Sequence, residues 1–220
     1  MTGVGNQASD GCSEPAFSPA VRWFGLLGLV GLVAFASSLI VLHLTSSNID
    51  LMDHYVSNLA NQPLGWVFMA GAFVHSWGNL ALTLGLRAAL NPGGLRTWAV
   101  LLFGLAALGI LLAAVFPIEA PDQVPGVSGR IHRSAASATF ALELAALFVF
   151  SSAFGRDRRW RRQRVVSLVL AVCATVAIIS FVIAIQLDVA PGLAERIAML
   201  VLLVWEIWVS IQLIRTGRRV

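Results

Sequence analysis

The hydrophobic residues of this chain are grouped in long runs that polar segments separate. Six runs of roughly 20 residues each occupy positions 21–44, 64–86, 97–117, 134–154, 165–187 and 196–214. An α-helix rises about 1.5 Å per residue, so a run of this length crosses the roughly 30 Å hydrocarbon core of a bilayer. The pattern therefore predicts an all-α fold, a polytopic membrane bundle of six transmembrane helices.

The polar segments set the domain boundaries. Residues 1–20 are rich in Gly, Ser, Asn and Pro and contain few apolar residues, which predicts a disordered tail. Residues 21–215 form one six-helix domain, and residues 216–220 form a short basic tail. Gly25, Gly28 and Gly31 are spaced by three on the first predicted helix, which indicates close packing against another helix.

Composition agrees with a membrane protein. The chain is 58% hydrophobic and 12% charged, whereas soluble domains have about 45–50% apolar and about 25% charged residues. This excludes a water-soluble globule and a disordered chain. The net charge of +4 does not indicate a nucleic-acid partner, because the basic residues lie at the ends of the predicted helices.

The arginines predict the orientation. All 15 basic residues are Arg; twelve of them fall on one side of the predicted membrane, and only Arg130, Arg133 and Arg196 fall on the other. Because Arg is concentrated on the cytoplasmic side, we expect a cell-membrane protein with both termini in the cytoplasm. The basic segment 155–164 is interpreted as a topology anchor, and the loops 45–63, 118–133 and 188–195 are expected to face outward.

Four polar side chains lie inside the predicted spans: His75, Asn79, Glu143 and Glu206. Counted from the outer ends of their helices, the three ionisable ones lie about 14–17 Å deep, near the bilayer midplane. Ionisable residues at this depth are costly and indicate a functional site, although they also serve as hydrogen bonds between helices. The sequence leaves open whether the three meet in space.

Helical spacing extends this polar layer toward the outer surface. His132 and Glu143 are 11 residues apart and share a helix face, and so do Glu195 and Glu206. This predicts an outward-facing, polar-lined cavity covered by the loops 45–63 and 118–133. We also expect Arg196 to pair with Asp53, with Glu119 or with an anionic head group.

No cofactor and no metal site are predicted. Haem ligation needs two His side chains at one level on facing helices, and His75 has no partner at its depth. A haem or metal between His43 and His132 stays open as an alternative. A zinc site from His43, His54, His132 and Asp53 would lack the usual ligand spacing.

Three short segments resemble the multi-pass membrane family known as domain of unknown function 998. They are residues 50–59 (DLMDHYVSNL), the stretch from Gly109 to Pro117 with the acidic loop that ends at His132, and residues 192–196 (GLAER) with Trp205 further on. The resemblance covers about residues 20–215 and implies a six-helix membrane protein. It also implies that Ser57, His132, Glu195 and Arg196 are recurring polar positions, and it brings no established activity.

The sequence thus favours a membrane protein that binds or processes a lipid- or isoprenoid-like amphiphile, with acid–base chemistry as the candidate reaction. The candidate catalytic residues are His132, Glu143 and Glu206. The candidate binding residues are Asp53, Ser57, His75, Asn79, Glu195 and Arg196. Membrane lipids or a lipophilic small molecule are the expected partners. A non-catalytic accessory protein and a proton- or ion-coupled carrier are the alternatives, and the sequence gives neither the ligand nor the oligomeric state.

Overall fold

The computed structural model describes residues 19–46, 48–120, 123–124 and 126–217. The predicted N-terminal tail up to residue 18 and the last three residues of the C-terminal tail lie outside the described residues. Six long α-helices make up the fold, and no strand occurs in the described ranges. The helices are α1 (Ala20–Thr45), α2 (Gly65–Ala89), α3 (Gly94–Val115), α4 (Val127–Arg156), α5 (Arg164–Leu187) and α6 (Pro191–Thr216).

Each of the six helices is long and apolar enough to cross a membrane. The prediction of an all-α bundle with six transmembrane helices is therefore confirmed, and the chain is a multi-pass membrane protein. Two short 3₁₀ helices, Val56–Asn61 and Arg161–Gln163, lie in the segments that follow α1 and α4.

Two helices begin earlier than their apolar runs predict, because hydrogen-bond acceptors from other segments stabilise their first turns. Helix α4 begins at Val127 instead of residue 134, and the Glu119 carboxylate accepts hydrogen bonds from the N–H groups of Gly126 and Gly129. Helix α6 begins at Pro191 instead of residue 196, and the Met52 carbonyl accepts the Gly192 N–H at 2.7 Å. These acceptors satisfy amides that have no partner inside the helix.

The helices form a closed ring in chain order. Each packs against its neighbours in sequence, α1 also packs against α6, and α2 touches α6 across the ring. Small residues permit the close contact of α1 with α2, since a Cβ at Gly31 would lie 2.9 Å from the Gly78 Cα. The predicted role of the glycine spacing on α1 is thus confirmed.

The bundle has two halves of different character. We call the half next to the segments that follow α1, α3 and α5 the loop-side half, and the opposite half the arginine-side half. Aromatic side chains fill the arginine-side half: Phe103, Phe150, Phe154, Trp160 and Trp205 are at most 2% exposed. Their rings contact one another at centroid distances of 5.0–6.1 Å, the range of attractive aromatic pairs.

Candidate functional site

A cluster of buried polar side chains is centred on Glu206 of α6. The Glu206 Oε2 atom lies 2.7 Å from His75 Nε2, and Asn79 Nδ2 donates to Oε1 at 2.6 Å. His75 and Asn79 are one turn apart on α2, so α2 presents both to the same carboxylate. The sequence did not show whether these side chains lie close together, and in the structure His75, Asn79 and Glu206 are in contact.

Glu143 of α4 completes the cluster, since its carboxyl group is within hydrogen-bonding reach of Glu206. Two carboxyl groups form such a bond only when one of them carries a proton. Glu206 already faces donors on His75 and Asn79, so the geometry assigns the shared proton to Glu143. All four side chains of the cluster are at most 5% exposed.

An aromatic ring fixes the orientation of His75. Phe35 of α1 stacks on the imidazole with a centroid distance of 4.9 Å and an interplanar angle of 7°. The Glu206 carboxylate holds the edge of the imidazole ring through Nε2. Because a carboxylate only accepts, Nε2 carries the hydrogen in this arrangement.

A deep cavity with a volume of about 120 Å³ adjoins the cluster. His75, Glu143 and Glu206 form part of its wall, together with His132, Glu195 and Ser57. The rest of the wall is mainly apolar and includes Phe35, Phe68, Ile110, Phe140, Met199, Leu202 and Leu203. The deep cavity is therefore an apolar chamber with a few convergent polar groups, the usual composition of a small-molecule site.

A second, larger cavity of about 560 Å³ lies toward the loops, and we call it the loop-side cavity. Its described wall includes residues 53–55, 57–58, 118–120 and 123, side chains from the first half of α4, and Phe181 and Ile185 of α5. Five residues line both cavities: Ser57, His132, Ala136, Phe140 and Glu195. The two cavities are therefore adjacent, with these five residues at their junction.

His132 is fixed at the junction by backbone acceptors. Its Nδ1 lies 3.0 Å from the Ala113 carbonyl and 2.9 Å from the Phe116 carbonyl, both at the end of α3. Carbonyl oxygens only accept, so Nδ1 carries the hydrogen and Nε2 keeps its lone pair. A neutral imidazole with this tautomer offers a hydrogen-bond acceptor, or a base, at the wall of both cavities.

Three buried side-chain oxygens in the described ranges have no hydrogen-bond partner: Asn58 Oδ1, Glu119 Oε2 and Glu143 Oε1. Asn58 and Glu119 line the loop-side cavity, and Glu143 lines the deep cavity. An unsatisfied buried acceptor costs about 1–3 kcal/mol. All three costs fall on the cavity walls, where a ligand with hydrogen-bond donors would offset them.

The predicted ion pairs of Arg196 with Asp53 or Glu119 are wrong. Its guanidinium donates to the carbonyls of Leu51, His54 and Gly192 and contacts His43 Nε2 at 3.2–3.3 Å. The carbonyls lie where the loop after α1 crosses the start of α6, so backbone acceptors were already in place. Arg196 thus ties this loop to α6, and the anionic head group stays an untested alternative.

Glu195 also holds the covering segment in place. Its Oε2 accepts the Val56 N–H at 2.6 Å, at the start of the 3₁₀ helix Val56–Asn61. Neighbouring residues of α6 therefore hold two parts of the segment after α1 by hydrogen bonds to its backbone. Asp53 is exposed at the edge of the loop-side cavity, and Ser57 lies at the junction.

Two groups in the loops titrate away from their usual range. Hydrogen bonds from the Gly129 and Gly126 N–H groups lower the pKa of Glu119, so this carboxylate stays charged. Burial raises the pKa of the Tyr55 hydroxyl, which lines the loop-side cavity in its neutral form. The Glu119 carboxylate and the Tyr55 hydroxyl thus give the cavity a charged acceptor and a neutral hydroxyl from its loops.

The geometry does not fit a haem or metal between His43 and His132. Nδ1 of His43 contacts the Leu39 carbonyl at 2.7 Å, and Nε2 faces the Arg196 guanidinium. Both nitrogens are therefore engaged by protein groups, which leaves no lone pair for a metal. Within the described residues, no group of three or more His, Cys, Asp and Glu side chains is arranged to hold a metal ion.

Sequence reasoning missed two contributors to the site. Phe35 stands in an apolar run and gave no signal that it would stack on a histidine. Asn58 follows Ser57 directly, but only the structure shows that its buried Oδ1 atom has no partner. A polar residue beside a motif position was the one available signal for Asn58.

Comparison with known proteins gives one family. A family model described as "Protein of unknown function (DUF998)" matches residues 29–212, a range that includes all six helices in whole or in large part. Comparison with curated proteins and with solved structures gives no match.

Proposed function

Since this chain belongs to the family of proteins of unknown function DUF998, whose description gives no activity, we propose its function from the two adjacent cavities. The loop-side half binds a lipid- or isoprenoid-like amphiphile. The apolar part of the ligand occupies the deep cavity, and the polar part lies in the loop-side cavity. The cluster of Glu143, Glu206 and His75 supplies acid–base chemistry to the ligand.

The observation that carries this proposal is the unpartnered Oε1 of Glu143 in an otherwise apolar chamber. A buried carboxyl with an oxygen that has no partner keeps hydrogen-bonding capacity for a ligand. Mainly apolar walls with a few convergent polar groups suit a ligand that is mostly hydrocarbon. The loop-side cavity supplies further acceptors on Asn58 and Glu119 for donor groups of the head.

The acid–base roles follow from the hydrogen-bond pattern. Glu143 carries the proton and donates it to the ligand as the acid, while His75 and Asn79 hold the neighbouring Glu206 carboxylate in place. His132, with its free Nε2 at the junction, acts as the base toward the polar part of the ligand. Phe35, Phe68 and Phe140 offer aromatic faces that stabilise positive charge on a protonated ligand.

The two alternatives meet physical objections. A carrier needs access from both sides, and the packed aromatic rings of the arginine-side half lie beyond the cluster. An accessory protein with a merely structural polar core would gain nothing from an unpaired buried acceptor on Glu143. Binding from one side accommodates both observations.

Photo-crosslinking tests the proposal. The purified protein in mild detergent is exposed to a diazirine analogue of farnesol, an isoprenoid alcohol, and the labelled peptides are identified by mass spectrometry. We expect labels on residues around the deep cavity, and we expect unlabelled farnesol to compete. Ala136→Phe, which fills the junction, should remove most of the label.

Ala138→Phe is the matched control, because Ala138 lies on the same helix but is exposed and lines neither cavity. This variant should label like the native protein. Equal labelling of native protein, Ala136→Phe and Ala138→Phe would show that the probe reaches only the lipid-facing surface, and the proposal would fail.

We also propose that the loop-side half faces outward in the cell membrane, because of the arginine distribution. In a background without Cys12 and Cys173, an impermeant thiol reagent added to intact cells should label Val124→Cys and not Arg162→Cys. Both residues are exposed, at opposite ends of the bundle. The reverse labelling pattern would overturn the orientation.

A further inference from the structure

A polar pocket of about 180 Å³ lies at the arginine-side end, far from the two cavities of the loop-side half. Six residues line it: Arg159, Trp160, Gln163, Gln212, Arg215 and Thr216. Two guanidinium groups, two amides and one hydroxyl supply hydrogen-bond donors, and no carboxylate lines the pocket among residues 19–217 that the structure describes. The lining is therefore suited to an anion.

The protein holds one of the two guanidinium groups in place. Arg159 Nη2 donates to the Ala89 carbonyl at 3.2 Å and to Asn91 Oδ1 at 3.0 Å. Asp157 lies 3.4 Å from the same nitrogen and also accepts the Arg159 N–H at 3.0 Å. These contacts fix the side chain before any ligand binds, which lowers the entropic cost of binding.

The pocket keeps a net positive charge. Asp157 is 3% exposed and compensates the charge of Arg159. Arg215 is exposed near the end of α6 and has no carboxylate beside it among the pocket residues. A ligand with at least one negative charge would therefore balance the site.

The floor of the pocket is rigid. The Trp160 ring is 2% exposed and stacks on Phe154 with a centroid distance of 5.0 Å and an interplanar angle of 18°. This stack joins the floor to the aromatic core of the arginine-side half. The donors from α6 and from the segment after α4 thus face each other across a fixed base.

We propose that this pocket binds a phosphate group, supplied by an anionic phospholipid head group or by free phosphate. Arg guanidinium groups bind phosphate oxygens through paired hydrogen bonds, and the amides and hydroxyl satisfy the remaining oxygens. The site lies where the helices end, at the level of the lipid head groups. The proposal does not depend on the function of the two cavities.

Thermal unfolding of the detergent-purified chain in phosphate-free buffer tests the site. One series adds sodium phosphate at constant ionic strength, and a second adds dioctanoyl phosphatidylglycerol or, for comparison, dioctanoyl phosphatidylcholine. A ligand that binds only the folded protein raises the unfolding temperature, and the concentration dependence gives Kd. We expect phosphate or phosphatidylglycerol to raise it, and phosphatidylcholine to have little effect.

Arg215→Gln should weaken the stabilising ligand about tenfold, because it removes a charge-assisted pair of hydrogen bonds. Arg162→Gln is the control, since it removes the same charge from an exposed position outside the pocket. Stabilisation by phosphate alone identifies free phosphate as sufficient, and stabilisation by phosphatidylglycerol alone identifies the lipid head group. The proposal is overturned if neither ligand stabilises the chain, or if both variants weaken binding equally.

Discussion

The arginine-side half and the loop-side half of this bundle differ in how tightly their side chains pack and in whether their buried polar atoms are paired. The arginine-side half contains Trp and Phe rings in mutual contact, and its buried polar atoms are paired, as when Trp205 Nε1 donates to Ser167 Oγ at 3.0 Å. The loop-side half contains two adjacent cavities and three unpartnered oxygens. Filled space and satisfied polar groups characterise one half, and open space with unsatisfied acceptors characterises the other.

This difference indicates which half of the bundle contributes most of the packing that stabilises the fold. A packed aromatic core holds the ends of six helices together and closes one side of the bundle. The loop-side half then tolerates cavities and unpaired acceptors because the other half and the hydrogen-bonded loops keep its helices in place. The following predictions break or sharpen that comparison, beginning with the largest expected effect.

Truncation of a core aromatic should give the largest loss. Phe150 is fully buried and contacts Phe103, Phe154 and Trp205. Phe150→Ala should lower the free energy of unfolding by about 3 kcal/mol, because it leaves a void in a packed core. Phe140→Ala at the cavity junction should cost less than half as much, measured by unfolding in sodium dodecyl sulfate. Equal losses would show that the halves are packed alike.

Substitutions of Glu206 and Glu143 should separate structure from chemistry. Glu206→Leu leaves His75 and Asn79 without their acceptor and should destabilise the fold by about 1–2 kcal/mol. Glu143→Gln keeps a donor for Glu206 and should fold normally, yet it lacks the acidic proton and should abolish activity on the ligand. A Glu143→Gln variant with full function would leave the cluster as a structural hydrogen-bond network.

Removal of the Arg196 guanidinium should loosen the loop-side half alone. Arg196→Gln loses the bonds to the Leu51 and His54 carbonyls and should destabilise the fold by about 1 kcal/mol. Hydrogen exchange should accelerate in residues 51–56 and stay unchanged in the arginine-side core. Arg130→Gln, which removes an exposed charge at the same end, is the control. Faster exchange of residues 51–56 in this variant as well would indicate a general charge effect.

The smallest effect concerns pH. Hydrogen bonds from Gly129 and Gly126 lower the pKa of Glu119, so its carboxylate stabilises the fold above the ordinary carboxyl pKa. That contribution is lost as the pH falls through the lowered pKa. The unfolding temperature of Glu119→Gln should therefore lie below that of the native chain at neutral pH, and the gap should close in acid. A gap independent of pH would contradict this capping role.

The sequence was sufficient to predict the six-helix fold, because burial in a bilayer requires apolar runs that are long enough to recognise in the sequence. Runs such as 21–44 and 165–187 are too long and too apolar for anything but spans. The early starts of α4 and α6 were not predictable from hydropathy, since each first turn depends on a hydrogen-bond acceptor from another segment. The Glu119 carboxylate stabilises the first turn of α4, and the Met52 carbonyl stabilises the first turn of α6. Each acceptor comes close to its helix only when the chain folds.

The depth of the site residues in the membrane was predictable from the sequence, but the contacts between their side chains were not. Matched depth selected His75, Glu143 and Glu206, and the structure brings them into one cluster. The direction of a helix face toward a neighbouring helix is set by packing, so the carboxyl pair itself was not visible in the sequence. The predicted ion pair of Arg196 was wrong because the sequence shows only its charge, which favours a carboxylate partner. In the folded chain the guanidinium instead donates to backbone carbonyls where the loop after α1 crosses α6.

The central claim is that the interior of the bundle is open to an amphiphile in the loop-side half and closed by the aromatic core in the arginine-side half, and cysteine accessibility tests it most directly. In a background without Cys12 and Cys173, Ala136→Cys at the junction and Ala146→Cys in the arginine-side core are treated with a small cationic methanethiosulfonate reagent. The account predicts that position 136 reacts, that farnesol slows this reaction, and that position 146, which is 0% exposed, stays unmodified in the folded protein. Equal reaction at both positions, or no reaction at position 136, would contradict it.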